Sequence, residues 1–277
     1  MKNMFKTFLL LFALTILLML MGQIIGGSRG MLIGLFIALV LNWGSYWFSD
    51  RIVLAMYKAR EPQGKEKKVI DLVKALLPAA NLPMPRVKVV DMPVPNAFAT
   101  GRNPQHAVVA VTTGILEILN DQELSAVLAH ELSHIKNRDI LIGTIAATLA
   151  GAITMLARFA FFFGGDRDRN ILATLAMLIL APLAAFLIQM AVSRSREYAA
   201  DRTAGLITKR PLDLVKALEK LQLAVKKKSL PATTSSNATA HLFIINPFKG
   251  KNFASLFSTH PSLEQRSMRL QALAKEL

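Results

Sequence analysis

The residues whose types and spacing most directly imply chemistry are His130, Glu131 and His134, in the run His130-Glu131-Leu132-Ser133-His134. Asn120 and Glu123, three residues apart, have the form of a helix capping box, and Leu124, Val127, Leu128, Leu132 and Ile135 form an apolar stripe. A helix beginning near Asn120 is therefore predicted. Four residues of α-helix turn about 400° and rise about 6 Å, so both imidazoles lie on one face within reach of one ion. Tetrahedral zinc takes nitrogen ligands at about 2.0–2.1 Å. Glu131 is rotated about 100° from His130, too far to join the same coordination set easily. It can instead face a water in the ion's open position, take its proton as it attacks a carbonyl, and return that proton to the leaving amine.

Such a site needs a third protein ligand. The chain contains no cysteine, which excludes thiolate ligation and disulfides and leaves Glu197, Asp201 and His260 as candidates. Glu197 and Asp201 are again four residues apart, in Ser195-Arg196-Glu197-Tyr198-Ala199-Ala200-Asp201. Taken alone, that segment reads equally well as a polar helical face with Arg196 and Arg202.

The elements that must position these residues include membrane spans. Of the 277 residues 53% are hydrophobic and 18% charged, too apolar a balance for an ordinary soluble domain. Four runs, at about 8–26, 31–48, 140–163 and 171–192, approach the roughly 20 residues that cross a bilayer. The first is expected to be a retained span, since no A-x-A-like cleavage site follows it. It forms a hairpin with the second through Gly26-Gly27-Ser28-Arg29-Gly30, and Trp43, Tyr46 and Trp47 supply an interfacial aromatic belt. Pro182 interrupts the fourth run, a kink that neighbouring helices can accommodate.

The net charge of +15 fits the same picture, because Lys and Arg collect beside the apolar runs. Nucleic-acid binding is excluded as a reading, with no basic helix or aromatic–basic interleaving to support it. The basic stretches follow the second and fourth runs, so both termini and both polar segments are expected in the cytoplasm of a multi-pass inner-membrane protein. The expected organisation is a transmembrane hairpin over 1–50, a first catalytic part over 51–139, a second hairpin over 140–193 and a second catalytic part over 194–277. Neither polar part alone offers a comfortable core, so the two fold together. Within them a helix is predicted over 66–77, stopped by Pro78, with strands over 87–90 and 106–112 and a flexible loop over 231–240. The fold class is mainly α with a small β-sheet: four transmembrane helices and a cytoplasmic zincin-like domain.

Taken together, these features resemble a family. His130–His134, an apolar hairpin, Arg-Glu-x-x-Ala-Asp at 196–201 and Ser258-Thr259-His260-Pro261 look like the HtpX-type membrane zinc metalloproteases, gluzincin-like relatives of the CAAX prenyl endopeptidases. The resemblance covers essentially the whole chain. It implies one Zn2+ per chain, with Glu197 as third ligand, and Asp201 as a carboxylate that orients a zinc-bound histidine. It implies that Asn96-Ala97-Phe98-Ala99 forms an edge strand able to pair with a substrate main chain. It further matches His260 to a histidine able to hydrogen-bond the oxyanion, with Arg266 fixing that segment. His106 and His241 are left as structural.

The activity implied is endopeptidase cleavage of misfolded or damaged membrane proteins at the cytoplasmic face, a quality-control and stress-response role. The partners are then membrane and cytosolic protein substrates and the lipid bilayer. A catalytically silent, zinc-stabilised chaperone or scaffold is the alternative from another class, and its signature would be the loss of Glu131, which is present. A metal transporter needs ionisable groups inside the spans, where few polar residues occur.

Overall fold

The computed structural model describes residues 2–145, 194–227, 230–231, 243–245, 248–249 and 261–277. The N-terminal helix α1 (Lys2–Met56) is broken only at Gly26 (φ −138°, ψ 18°) and Gly27 (φ 59°, ψ −147°). Gly27 adopts a backbone conformation that side chains disfavour, and there the chain reverses. Its two halves lie against each other: a Cβ on Gly22 would strike the Gly30 carbonyl, and one on Gly34 the Leu18 carbonyl. Asn42 Nδ2 crosses the pair, donating to Thr15 Oγ1 (2.9 Å) and to the Leu11 carbonyl (3.3 Å). The N-terminal helix is thus a helical hairpin.

Among the described residues one helix, Gly26–Phe48, is long and apolar enough to cross a membrane, while Thr7–Leu20 is a shorter apolar helix. Leu32, Ile33, Phe36, Trp43 and Trp47 are exposed on it, a surface suited to lipid rather than water. The expected third and fourth runs lie outside the described residues, apart from helical turns at 140–145. The expected loop at 232–240, and the Ser258-Thr259-His260 part of the C-terminal motif, lie outside them too.

After α1 come α2 (Lys68–Ala80), β1 (Arg86–Val90), β2 (Ala97–Thr100), β3 (Val108–Thr112) and α3 (Thr113–Ile118). The central helix α4 (Asp121–Lys136) follows, then α5 (Arg194–Thr208), α6 (Pro211–Lys227) and α7 (Leu263–Glu276). A two-residue pairing joins β4 (Leu230–Pro231) to β5 (Phe248–Lys249). The main sheet has the order β1-β3-β2, with β1 parallel and β2 antiparallel to β3, which leaves β2 at one edge.

Two local expectations need correction. Pro78 does not stop its helix: α2 continues to Ala80 and ends at Asn81, whose N–H still bonds the Leu77 carbonyl at 2.8 Å and whose left-handed φ of 54° turns the chain out of the helix. A proline in the last turn forfeits one helical hydrogen bond, and burying Val73, Leu76 and Ala80 offsets that loss. His106 does not begin a strand. Pro104–His106 forms a 3₁₀ turn capped by Asn103, whose Oδ1 accepts from His106 N at 3.0 Å, and β3 starts at Val108.

The core is built around α4, which packs against α2, α5, α6 and the edge strand β2. Leu124, Leu128, Leu132 and Ile135 are fully buried, each contributing about 1.5–3 kcal/mol by leaving water. Val69, Val89, Val111, Leu214, Leu218 and Leu270 belong to the same cluster, so residues of both polar segments share one core. Gly205 lets α5 and α7 approach closely, since a Cβ there would lie 2.5 Å from Leu273 Cδ2.

Candidate metal centre

Local sequence fixes where α4 begins. Asn120 Oδ1 accepts from Glu123 N (2.9 Å) and Glu123 Oε2 accepts from Asn120 N (3.0 Å), the reciprocal capping box. Glu123 is itself buried, and Lys220 Nζ on α6 donates to its Oε2 at 2.8 Å. The helix start is thereby tied to the core, and the histidines three turns on inherit that registration.

His130 and His134 present their Nε2 atoms to each other at 3.2 Å. From α5, the Glu197 carboxylate stands 3.6 Å from His130 Nε2 through Oε2 and 3.6 Å from His134 Nε2 through Oε1. One donor atom from each member of this trio lies within 4.8 Å of the other two. Ligands about 2.1 Å from a tetrahedral ion are separated by edges of about 3.4 Å, so the trio has the spacing of one face of such a site.

Each histidine is held from behind. His130 Nδ1 lies 2.9 Å from Asp201 Oδ1, near but poorly aligned for a hydrogen bond. Asp201 also accepts from Arg266 Nε (2.8 Å) and NH2 (2.6 Å), a bidentate pair in which both side chains are buried. His134 Nδ1 lies 3.3 Å from Asp139 Oδ2. Carboxylates behind the far nitrogens leave both Nε2 atoms to serve as ligands.

The electrostatics match this geometry. Burial works against protonation of His130, yet the Asp201 and Glu197 carboxylates prevail and lift its pKa to about 10. Burial also opposes ionisation of Asp201, but Arg266 and His130 hold it below the usual carboxylate range. Burial of Glu131 dominates and pushes its pKa up. The centre gathers Glu131, Glu197, Asp201 and Asp139 around Arg266 and Arg196, an excess of negative charge that a proton on histidine or a metal cation neutralises. Its donors are nitrogen and oxygen alone, suited to a divalent ion of the zinc type. The residues present fit a metal.

Glu131 is buried beside the ligands, and its carboxylate takes a backbone contact from Ala99 on the edge strand β2. Ala99 thus adjoins the centre. Asn96, Ala97 and Phe98 are buried, and the Asn96 side chain turns elsewhere: its Oδ1 accepts from Ile244 N at 3.0 Å. Arg266 fixes Asp201. His260 lies outside the described residues.

Sequence reasoning missed Asp139. The end of α4 carries a Schellman closure: Arg138 has φ 57°, its N–H bonds the Ile135 carbonyl (3.1 Å), and Asp139 N bonds the His134 carbonyl (2.9 Å). This curls Asp139 back beneath His134. A carboxylate just past the last turn of a His-bearing helix was the available signal. Arg196, read as part of a polar face, is instead half-buried beside Asp139 and Glu197, and burial lowers its pKa.

The comparisons with known proteins agree with this geometry. The family model described as "Peptidase family M48" matches residues 63–274. The chain belongs to peptidase family M48. A "Protease HtpX homolog" of Salinibacter ruber is 53% identical over 275 residues, covering 98% of each chain. One of Persephonella marina is 52% identical over 281 residues, again with 98% of both covered. The crystal structure of S. mikatae Ste24p shares the fold, with a TM-score of 0.50 and 20% identity. That match covers 97% of this chain, which spans 65% of the Ste24p chain. This M48 chain is a membrane metallopeptidase, a hydrolase acting on protein substrates, and its fold is mainly helical with a small mixed three-stranded sheet.

Proposed function

We propose that this M48 chain is a zinc endopeptidase of the cytoplasmic membrane that cleaves misfolded or damaged membrane proteins at the cytoplasmic face. The observation that carries the reading is the triangle of His130, His134 and Glu197 with buried Glu131 beside it. His130, His134 and Glu197 hold the ion, Asp201 and Asp139 orient the two imidazoles, and Arg266 holds Asp201. A Zn2+ bound there supplies Lewis acidity, polarising the scissile carbonyl and acidifying the attacking water.

The chain's own groups do the rest. The Glu131 carboxylate, made more basic by burial, removes a proton from the water as its oxygen bonds the carbonyl carbon. It delivers that proton to the amide nitrogen as the C–N bond breaks, releasing a carboxylate and an amine. The outer edge of β2, with residues 96–99, aligns an extended substrate by main-chain hydrogen bonds, so specificity depends weakly on side chains. His260, adjoining Pro261 ahead of α7, donates to the oxyanion.

The proposed organisation is that of the sequence: membrane hairpins over 1–50 and 140–193, four spans in all, and catalytic parts over 51–139 and 194–277 facing the cytoplasm. The basic residues that follow the second and fourth apolar runs support this orientation.

The test is cleavage of casein by protein purified without metal and then given Zn2+, beside Glu131→Gln and Glu197→Gln. Zinc-dependent cleavage by wild type is expected. Glu131→Gln should keep zinc while losing at least about 10²-fold in rate, and Glu197→Gln should lose the metal. A Glu131→Gln variant that cleaves normally refutes the mechanism. With no native cysteine, single cysteines at 168 and 276 report topology through membrane-impermeant labelling of cells. Labelling of position 276 from outside would overturn the orientation.

A further inference from the structure

The end of the N-terminal hairpin meets the catalytic part at a cavity whose lining shares no residue with the metal centre. Its volume is about 330 Å3, and Trp47, Asp50, Arg51, Arg86, Arg102 and His106 contribute to its wall. Three arginines line it against a single acidic residue, Asp50. That carboxylate is already engaged, because Arg86 NH2 donates to Asp50 Oδ2 at 2.6 Å. Arg51 and Arg102 have no carboxylate partner among the described residues. The Arg102 guanidinium lies over the Trp47 ring (4.5 Å to the centroid), and that of Arg51 beside Phe48 (5.7 Å).

The setting identifies the anion. The apolar helix Gly26–Phe48 ends just before Asp50 and Arg51, so the cavity lies within about 5 Å of its end along the axis. Trp43 and Trp47 are exposed there, as aromatic residues are at the level of lipid headgroups. Arg86 and Arg102 come from the start of β1 and the loop after β2, so the pocket forms only where the folded domain docks on the hairpin. We propose that this cavity binds the phosphate of an anionic phospholipid, held by Arg51 and Arg102 with Trp47 against the glycerol backbone. Guanidinium forks match phosphate oxygens, and basic pockets at membrane borders take lipid headgroups. The bound lipid fixes the catalytic domain against the membrane surface. The inference rests on the proposed reading of 31–48 as a span.

The chain's two tryptophans, Trp43 and Trp47, both lie at this end of the helix and supply the probe. Wild type and Arg51→Gln/Arg102→Gln are reconstituted in phosphatidylcholine nanodiscs, and tryptophan quenching is followed as brominated phosphatidylglycerol or brominated phosphatidylcholine replaces unlabelled lipid. Brominated phosphatidylcholine should quench both proteins equally. The anionic lipid should half-quench wild type at a mole fraction about 25-fold lower than the variant, roughly fivefold for each arginine. Casein cleavage in detergent should be unchanged in the variant, showing that it is folded.

Equal anionic-lipid dependence in the two proteins overturns the site. Displacement of the effect by inorganic phosphate assigns the pocket to a soluble anion and overturns the lipid. Failure of brominated phosphatidylcholine to quench either protein overturns the span, and the site with it, while leaving the zinc peptidase reading to its own test.

Discussion

Asp201→Asn tests whether the metal centre is organised by the buried chain Arg266–Asp201–His130. The carboxylate accepts twice from Arg266, at 2.6 and 2.8 Å, and its Oδ1 also approaches His130 Nδ1. Asparagine keeps one acceptor and sets an amide N–H against an arginine N–H. Both side chains of the Arg266–Asp201 pair are 2–3% exposed, so solvent offers little relief. Removing one partner of such a pair costs about 3–5 kcal/mol, whereas replacing both with apolar groups is often nearly neutral.

The metal-free protein should therefore lose about 3 kcal/mol or more in Asp201→Asn and in Arg266→Met, with the double variant falling well short of the sum. Chemical denaturation in detergent reads these stabilities. If Asp201 orients His130 as proposed, zinc affinity should fall about 10–100-fold in Asp201→Asn, measured by competition with a chromophoric chelator. Additive losses below about 1 kcal/mol, with unchanged zinc affinity, would refute both the coupling and the orienting role.

Asp139→Ala should lower zinc affinity about tenfold or more by the same chelator competition, because it frees the His134 ring. Asn120→Ala removes half of the capping box and should cost about 1 kcal/mol in denaturation, with zinc stoichiometry unchanged. Gly205→Val overpacks the α5–α7 contact at buried Leu273 and should lower the melting temperature and loosen Arg266 from Asp201; a variant with unaltered zinc affinity and melting temperature would deny that packing role. Arg60 hydrogen-bonds Glu66 and Asp91 and holds both carboxyls below their usual range. Their folded-state pKa values are depressed, so the stability they add is present above the ordinary carboxylate range and is lost as pH falls through the depressed values. Arg60→Met should flatten the acid side of the stability–pH profile measured by thermal unfolding.

What the sequence determined by itself was local. The capping box at Asn120 and Glu123, the four-residue step from His130 to His134 and the apolar stripe on α4 depend on contacts within a few residues, and helical geometry makes them legible. The reversal at Gly26-Gly27 was equally readable, since one backbone conformation there needs glycine. The absence of cysteine restricted the metal donors before any fold was known. Pro78 and His106 were misread because local propensity yielded to burial on α2 and to the Asn103 cap.

Tertiary structure decided how distant segments converge. Glu197 and Asp201 are equivalent in spacing, and only the packing of α5 on α4 sets Glu197 against both Nε2 atoms and Asp201 behind His130. Arg266 reaches Asp201 across 65 residues because α7 docks beside Gly205. Asp139 joined the site through a left-handed residue at a helix end, and the arginine cavity at Trp47 exists only where the folded domain meets the hairpin. Periodicity and capping report what a segment does alone; which of several equivalent carboxylates binds, orients or faces solvent is set by long-range burial of apolar faces.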